Sequence, residues 1–206
     1  PDYLLLGQIL IEDGLLTNSQ FEELLAEYQA SNEIDDLNVA NEQNDMVEKL
    51  IHKFFHFDNS DMSGKIVAYL NLLFNDIVRF IGKDFTPLNP LMKSEYMTNY
   101  CVTQKDEGLL SFNSGVDMSK SVATAFASRY AKEEFHEFDE YVKASIEDFL
   151  NLHNGLFNVN MSNEFSLELN LCPPEVHEEE TLTNATKIYV FPIIFPFGTI
   201  HFLLEI

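Results

Sequence analysis

Apolar residues change their spacing part-way along this chain, and that change narrows the fold more than any other property of the sequence. Ile66, Leu70, Leu73, Phe74, Ile77 and Ile81 recur every three or four residues, which predicts a helix from Lys65 to about Gly82. Phe165, Leu167, Leu169 and Leu171 alternate instead, which predicts a strand over 164–171 with those side chains inward. Residues 96–104 and 108–115 read as a β-hairpin turned at Lys105-Asp106-Glu107. Residues 117–131 read as a helix capped by Asp117 or Ser119, and 138–157 as a longer one. The segment 85–92 carries Pro87 and Pro90 and reads as irregular. Lys187–Phe195 and Thr199–Ile206 read as closing strands turned at Pro196-Phe197-Gly198, with Pro192 requiring an edge position or a bulge. From Lys65 the predicted order is α–β–β–α–α–β–β–β, an α+β class.

The 206 residues suffice for one domain with an appendage, and 18 Phe with 8 Tyr in a 46% hydrophobic composition supply a real core. Twelve Lys and Arg stand against 34 Asp and Glu, a net charge of −22 that opposes phosphate backbones and anionic lipid. No nucleic-acid partner is therefore expected. No membrane insertion is expected either, because no apolar run approaches the roughly 18–20 residues of a span. The sequence opens without a basic, apolar and small-residue leader. Cys101 and Cys172 are too few for a disulfide framework and read as free thiols, which predicts a cytoplasmic setting.

Residues 1–29 read as a helical hairpin. Leu4, Leu5 and Ile9 carry the first helix and Gly14 stops it. Thr17-Asn18-Ser19-Gln20 is a capping box for the second, with Leu16 and Phe21 as its hydrophobic staple and Phe21, Leu24, Leu25 and Tyr28 as its buried stripe. The stretch LGQILIEDGLLTNSQFEELLAEY resembles the short helical N-terminal motif of type II secretion and type IV pilus ATPases. The chain has no phosphate-binding G-x-x-x-x-G-K-[ST] loop, so the hairpin reads as a docking or packing element. Residues 30–45 form an acidic linker, a helix follows from Met46 to about Phe57, and 58–64 read as a polar turn. The predicted boundaries are thus 1–29, 30–45 and 46–206.

Other candidate chemistry is thin. His52 and His56 lie one helical turn apart but have no matched third ligand. Asp58-x-x-Asp61-x-x-Gly64 lacks calcium-loop spacing, with Tyr69 where a Glu is required. His177-Glu178-Glu179-Glu180 reads as a solvated loop, and Cys172 before Pro173 as a small packed residue. No metal and no cofactor is expected on this chain.

The helix 138–157 is more informative. With Phe138 at zero on a wheel of about 100° per residue, Val142, Ile146, Phe149, His153 and Leu156 fall within about 80° and form the predicted buried stripe. Asn151 falls at about 220°, flanked by Glu147 at about 180°, Asp148 at about 280° and Asn154 at about 160°. Ala144 and Gly155 put small residues beside it. A carboxamide among carboxylates with open floor around it is a place for another protein to land; a plain solvated face has the same pattern.

The stretch SIEDFLNLHNGLF, followed by a Leu-rich strand and LCPPEV, resembles the CheC/CheX/FliY family of response-regulator phosphatases. That family's signature is Asp or Ser, three residues, Glu, two residues, Asn, 22 residues, Pro; here Asp148-x-x-Asn151 precedes Pro174 by the same gap. The closing Pro-rich strand pair also looks like a CheX end, and the likeness covers about 65–206. It implies a CheX-like unit, a mostly antiparallel sheet packed against long helices, to which the hairpin read at 1–29 adds an N-terminal helical extension. Asp148 stands where the family has Glu, Ala144 where it has Asp or Ser, and Glu147 is an alternative acid. The earlier helix holds Asn71 and Asn75 with Ala68 and Leu72 three residues before them, so only one site is expected.

The resemblance further implies the aspartyl phosphate of a phosphorylated CheY-like receiver as substrate, with Mg²⁺ held by that partner. Asn151 would orient the attacking water, Asp148 would pair with a receiver lysine, and Glu147 and Asn154 would support them. A homodimer through sheet edges is open to a chain of this type. The alternative is a degenerate interaction module on the same fold, binding a signalling or a pilus or secretion partner.

Overall fold

The computed structural model describes Thr17, Gln20 and residues 60–205. The chain divides into two units, Pro1–Met46 and Val47–Ile206, and the sheet and helices below belong to the second. The helical hairpin, the acidic linker, the helix 46–57 and the His52/His56 pair lie outside the described residues, except for the ends of the capping box. There Thr17 N donates to Gln20 Oε1 at 3.0 Å and Gln20 N to Thr17 Oγ1 at 3.3 Å, the reciprocal pairing that satisfies two otherwise orphaned amides.

Helix α1 spans Ser60–Phe80. Its start makes Ser60–Gly64 helical where the sequence suggested a turn. Ile66, Leu70, Leu73, Phe74 and Ile77, with Ile81 just beyond the end, are all buried as their spacing predicts. Four strands follow: β1 Thr86–Pro87, β2 Leu91–Met97, β3 Tyr100–Gly108 and β4 Phe112–Met118. The hairpin of β3 and β4 is real, but its turn lies at 109–111, so Lys105, Asp106 and Glu107 are strand residues paired to Asn113, Phe112 and, across the other edge, Asn170. Helix α2 is Lys120–Ala131, capped by Ser119, whose hydroxyl accepts from Val122 N. Asp117 remains in β4. Helix α3 is Glu140–Phe165, capped by Asp139 accepting from Tyr141 N and Val142 N, and stopped at Ser166 in a left-handed conformation.

Strands β5 Leu169–Leu171, β6 Glu175–Glu178, β7 Thr181–Phe195 and β8 Gly198–Glu205 complete the chain. The predicted strand 164–171 keeps only its last three residues, because buried Phe157 and Met161 extend the apolar stripe of α3 instead. Among the described residues all pairings are antiparallel, in a sheet of order β1-β7-β8-β4-β3-β5, with β2 also beside β7 and β6 also beside β3. Pro192 falls in the interval of β7 between the β2 register, ending at Val190, and the β1 register at Ile193. Its missing N–H thus coincides with the break between two neighbours, while its carbonyl still accepts from Leu88 N at 2.8 Å.

Residues of α1, α2 and α3 and of one sheet face form the main core, dominated by Phe and Ile side chains. At the β7–β8 turn Gly198 has φ +140°, and a Cβ there would overlap Val122 Cγ2. Only glycine permits both that backbone and the close seating of α2 on the turn.

Candidate functional site

Asp139 and Ser166 fix the two ends of α3, and the buried side chains Val142, Ile146, Phe149, Leu150, His153, Phe157 and Met161 fix its rotation against the sheet. That rotation differs from the predicted one. Phe138, the reference for the stripe, precedes the cap and is not helical, and the buried arc centres about 90° away from it. Leu156 is therefore 38% exposed and Asn154 is fully buried. Asn154 is not part of an exposed face, which corrects its reading as a surface supporting residue.

Asn151 and Asp148 are both exposed on the opposite side, with Glu147 partly buried beside them. Ala144 is exposed, and a Cβ at Gly155 would meet nothing within 4 Å among the described residues, which leave the floor around Asn151 open. Asp148 leans toward α2, where Tyr130 Oη donates to its Oδ2 at 2.6 Å. Burial raises the Tyr130 phenol above its usual range, and the hydrogen bond to Asp148 adds to the shift. Glu147 acts toward β3: its charge adds to burial in raising the Tyr100 phenol. The two acids thus flank Asn151 on the helix.

Asn151 itself is tied to the sheet. Gln104 in β3 donates from Nε2 to Asn151 Oδ1 at 2.8 Å and to the Cys172 carbonyl at 2.9 Å. Cys172 N in turn donates to Lys105 O at 2.9 Å. The segment that leads to Pro174 is therefore brought to Asn151 by one strand. Behind Gln104, Asn154 Nδ2 donates to Gln104 Oε1 at 3.0 Å and to Ser114 Oγ at 2.9 Å, and Tyr69 Oη donates to Asn154 Oδ1 at 2.9 Å. Asn154 is linked to Asn151 through Gln104, from inside the core.

Gln104 is not singled out by the sequence, because the predicted strand ends at that residue. With β3 running to Gly108, Tyr100, Val102, Gln104 and Asp106 share the helix-facing side, and polar side chains in that row are the signal of a buried network. Asn71, on α1, is partly buried and Asn75 exposed, with no acid three residues before either, as the sequence already indicated. His177 does not sit in a loop: it belongs to β6, with Nδ1 2.5 Å from Glu180 Oε1 and Nε2 2.9 Å from Thr103 Oγ1. Among the described residues no group of three or more His, Cys, Asp and Glu is placed to hold a metal, Cys101 and Cys172 are free thiols, and no helix is long and apolar enough to cross a membrane.

No protein-family model and no curated protein matches this sequence. Solved structures do match. The chemotaxis protein CheX from Desulfovibrio desulfuricans superposes with a TM-score of 0.58 at 14% identity, over 68% of this chain and 97% of that one. A CheC-like superfamily protein from Shewanella sp. PV-4 gives 0.60 at 16%, over 71% and 97%. The CheX of a CheX–CheY–BeF3–Mg²⁺ complex from Borrelia burgdorferi gives 0.57 at 17%, over 68% and 96%. The second unit of this chain therefore has the fold of CheX and CheC-like proteins, an α+β fold in which the matched proteins are covered almost end to end.

Proposed function

We propose that this protein accelerates hydrolysis of the aspartyl phosphate on a CheY-like receiver domain, in chemotaxis or a related signalling pathway of the cytoplasm. The observation that carries the reading is the placement of Asn151: exposed on α3, three residues after exposed Asp148, and joined through Gln104 to the segment ending in Pro174. The fold likeness to a CheX solved with CheY, BeF3 and Mg²⁺ supports the choice of partner.

In this reading the receiver supplies the phosphoryl group, its Mg²⁺ and a lysine, and this chain supplies position. Water oxygen bonds to phosphorus in line with the acyl oxygen, the acyl P–O bond breaks onto the receiver carboxylate, and both water protons leave with inorganic phosphate. Asn151 is a neutral carboxamide, so it holds the water by a hydrogen bond without repelling the phosphoryl oxygens. Asp148, or Glu147 from the other flank, pairs with the receiver lysine and sets the docking angle. No covalent intermediate forms on this chain.

A second reading is an interaction module that binds a receiver, or a pilus or secretion partner, without turnover. Ala144 and the shortened acid at Asp148 favour it. Decay of a phosphorylated receiver at fixed Mg²⁺ separates the two. Faster decay with wild type, lost in Asn151→Ala, supports the phosphatase; equal decay with and without the protein across receivers that bind it leaves the module.

A further inference from the structure

A backbone carbonyl only accepts hydrogen bonds, and this sets the orientation of each side-chain amide connected to the Cys172 carbonyl. The Gln104 side chain reaches that oxygen at 2.9 Å, so the nitrogen of its amide lies at that end. The same nitrogen meets Asn151 at 2.8 Å, so Asn151 must present its oxygen inward. At the far end Gln104 Oε1 requires a donor, which Asn154 Nδ2 provides at 3.0 Å. Asn154 Oδ1 then accepts from Tyr69 Oη at 2.9 Å, closing a chain that runs donor to acceptor without conflict. Gln104 is 1% exposed and Asn154 fully buried, so water does not compete for these bonds.

We infer that Gln104 is the positioning residue of Asn151, holding its carboxamide oxygen inward and its Nδ2 hydrogens toward solvent. Asn151 Nδ2 has no protein partner among the described residues, while Oδ1 keeps one lone pair free. The face offered to a docked partner is therefore chiefly a hydrogen-bond donor. Such a donor holds water by its oxygen, or grips a phosphoryl oxygen, and a freely rotating carboxamide would present the wrong end part of the time. The catalytic side of this inference rests on the proposed phosphatase activity; the tether itself does not.

Two measurements test it. In the wild-type protein, side-chain amide NMR should show slow solvent exchange at Gln104 Nε2 and fast exchange at Asn151 Nδ2; a protected Asn151 Nδ2 overturns the inward-oxygen orientation without any variant. In receiver dephosphorylation, Gln104→Met should lower kcat by about 10- to 100-fold, the scale for a misplaced catalytic group, with KM for the receiver unchanged. The double variant Gln104→Met/Asn151→Ala should be no slower than Asn151→Ala alone, because in this proposal the catalytic effect of Gln104 runs through Asn151. Wild-type kcat in Gln104→Met, beside an inactive Asn151→Ala, overturns the positioning role and leaves the phosphatase reading standing. No acceleration by wild type, or full activity in Asn151→Ala, overturns the phosphatase reading and the catalytic role of Gln104 with it, while the exchange pattern still decides the tether.

Discussion

Tyr130 Oη and Asp148 Oδ2 lie 2.6 Å apart, a bond from α2 that captures the acid of α3 at the edge of the candidate site. The Tyr130 ring is held independently, stacked on Phe126 at 6.4 Å and edge-on to Phe149 at 5.8 Å. Tyr130→Phe should therefore leave the packing intact and free the carboxylate. Its expected stability cost is about 1 kcal/mol, that of one hydrogen bond. If Asp148 pairs with a receiver lysine, the looser acid should raise KM several-fold with little change in kcat. Steady-state dephosphorylation with a denaturation curve for the same variant checks both.

Asp148→Glu restores one methylene at the same helical position. Reach is what an acid needs to meet a lysine across an interface, and an exposed side chain meets few neighbours that resist the change. The expected outcome is equal or lower KM, with kcat held or raised. Inactivity of both the variant and the wild type points to the interaction module.

Asn151 and Asn154 should separate cleanly in stability. Asn151→Ala removes one acceptor from Gln104, whose Nε2 retains the Cys172 carbonyl, so about 1 kcal/mol is expected. Asn154→Ala strips partners from Tyr69 Oη, Gln104 Oε1 and Ser114 Oγ in a buried site, so about 2–4 kcal/mol is expected. Urea unfolding midpoints at constant slope measure the difference.

The helical spacing of Ile66 to Ile81 was legible because it is local, a period read along one stretch of sequence. What lay hidden depends on partners distant in sequence. Glu175–Glu178 is an edge strand with mostly exposed side chains, and its charges look like a loop until β3 pairs with it. The burial of Asn154 turned on where α3 begins, since Phe138 set the wheel while Asp139 caps the helix. Gln104 is chosen by the meeting of β3, α3 and the Cys172 segment, which no single stretch of sequence contains.

His153 carries a pH signature. It is fully buried on α3, with Nδ1 2.8 Å from Asp76 Oδ2 of α1, the Tyr69 ring edge-on at 4.6 Å, and Nε2 without a hydrogen-bond partner among the described residues. Burial lowers its pKa below the usual imidazole value, more than Asp76 raises it. The folded state then binds a proton less readily than the unfolded state, whose histidine titrates near pH 6.5. The contribution of a neutral His153 to stability is complete above about pH 6.5 and is lost as pH falls from there through the lowered folded value. His201, also lowered chiefly by burial, acts in the same direction, whereas Asp106, raised by burial, favours folding at low pH and loses that contribution as pH rises through its folded value. Subtracting a His153→Gln variant from wild type removes both common terms. Between pH 6.5 and 5 the wild type should lose up to about 1.4 kcal/mol more per pH unit than the variant, the limit for one proton. Parallel stability curves for the two proteins across that range would show that His153 binds its proton equally well folded and unfolded.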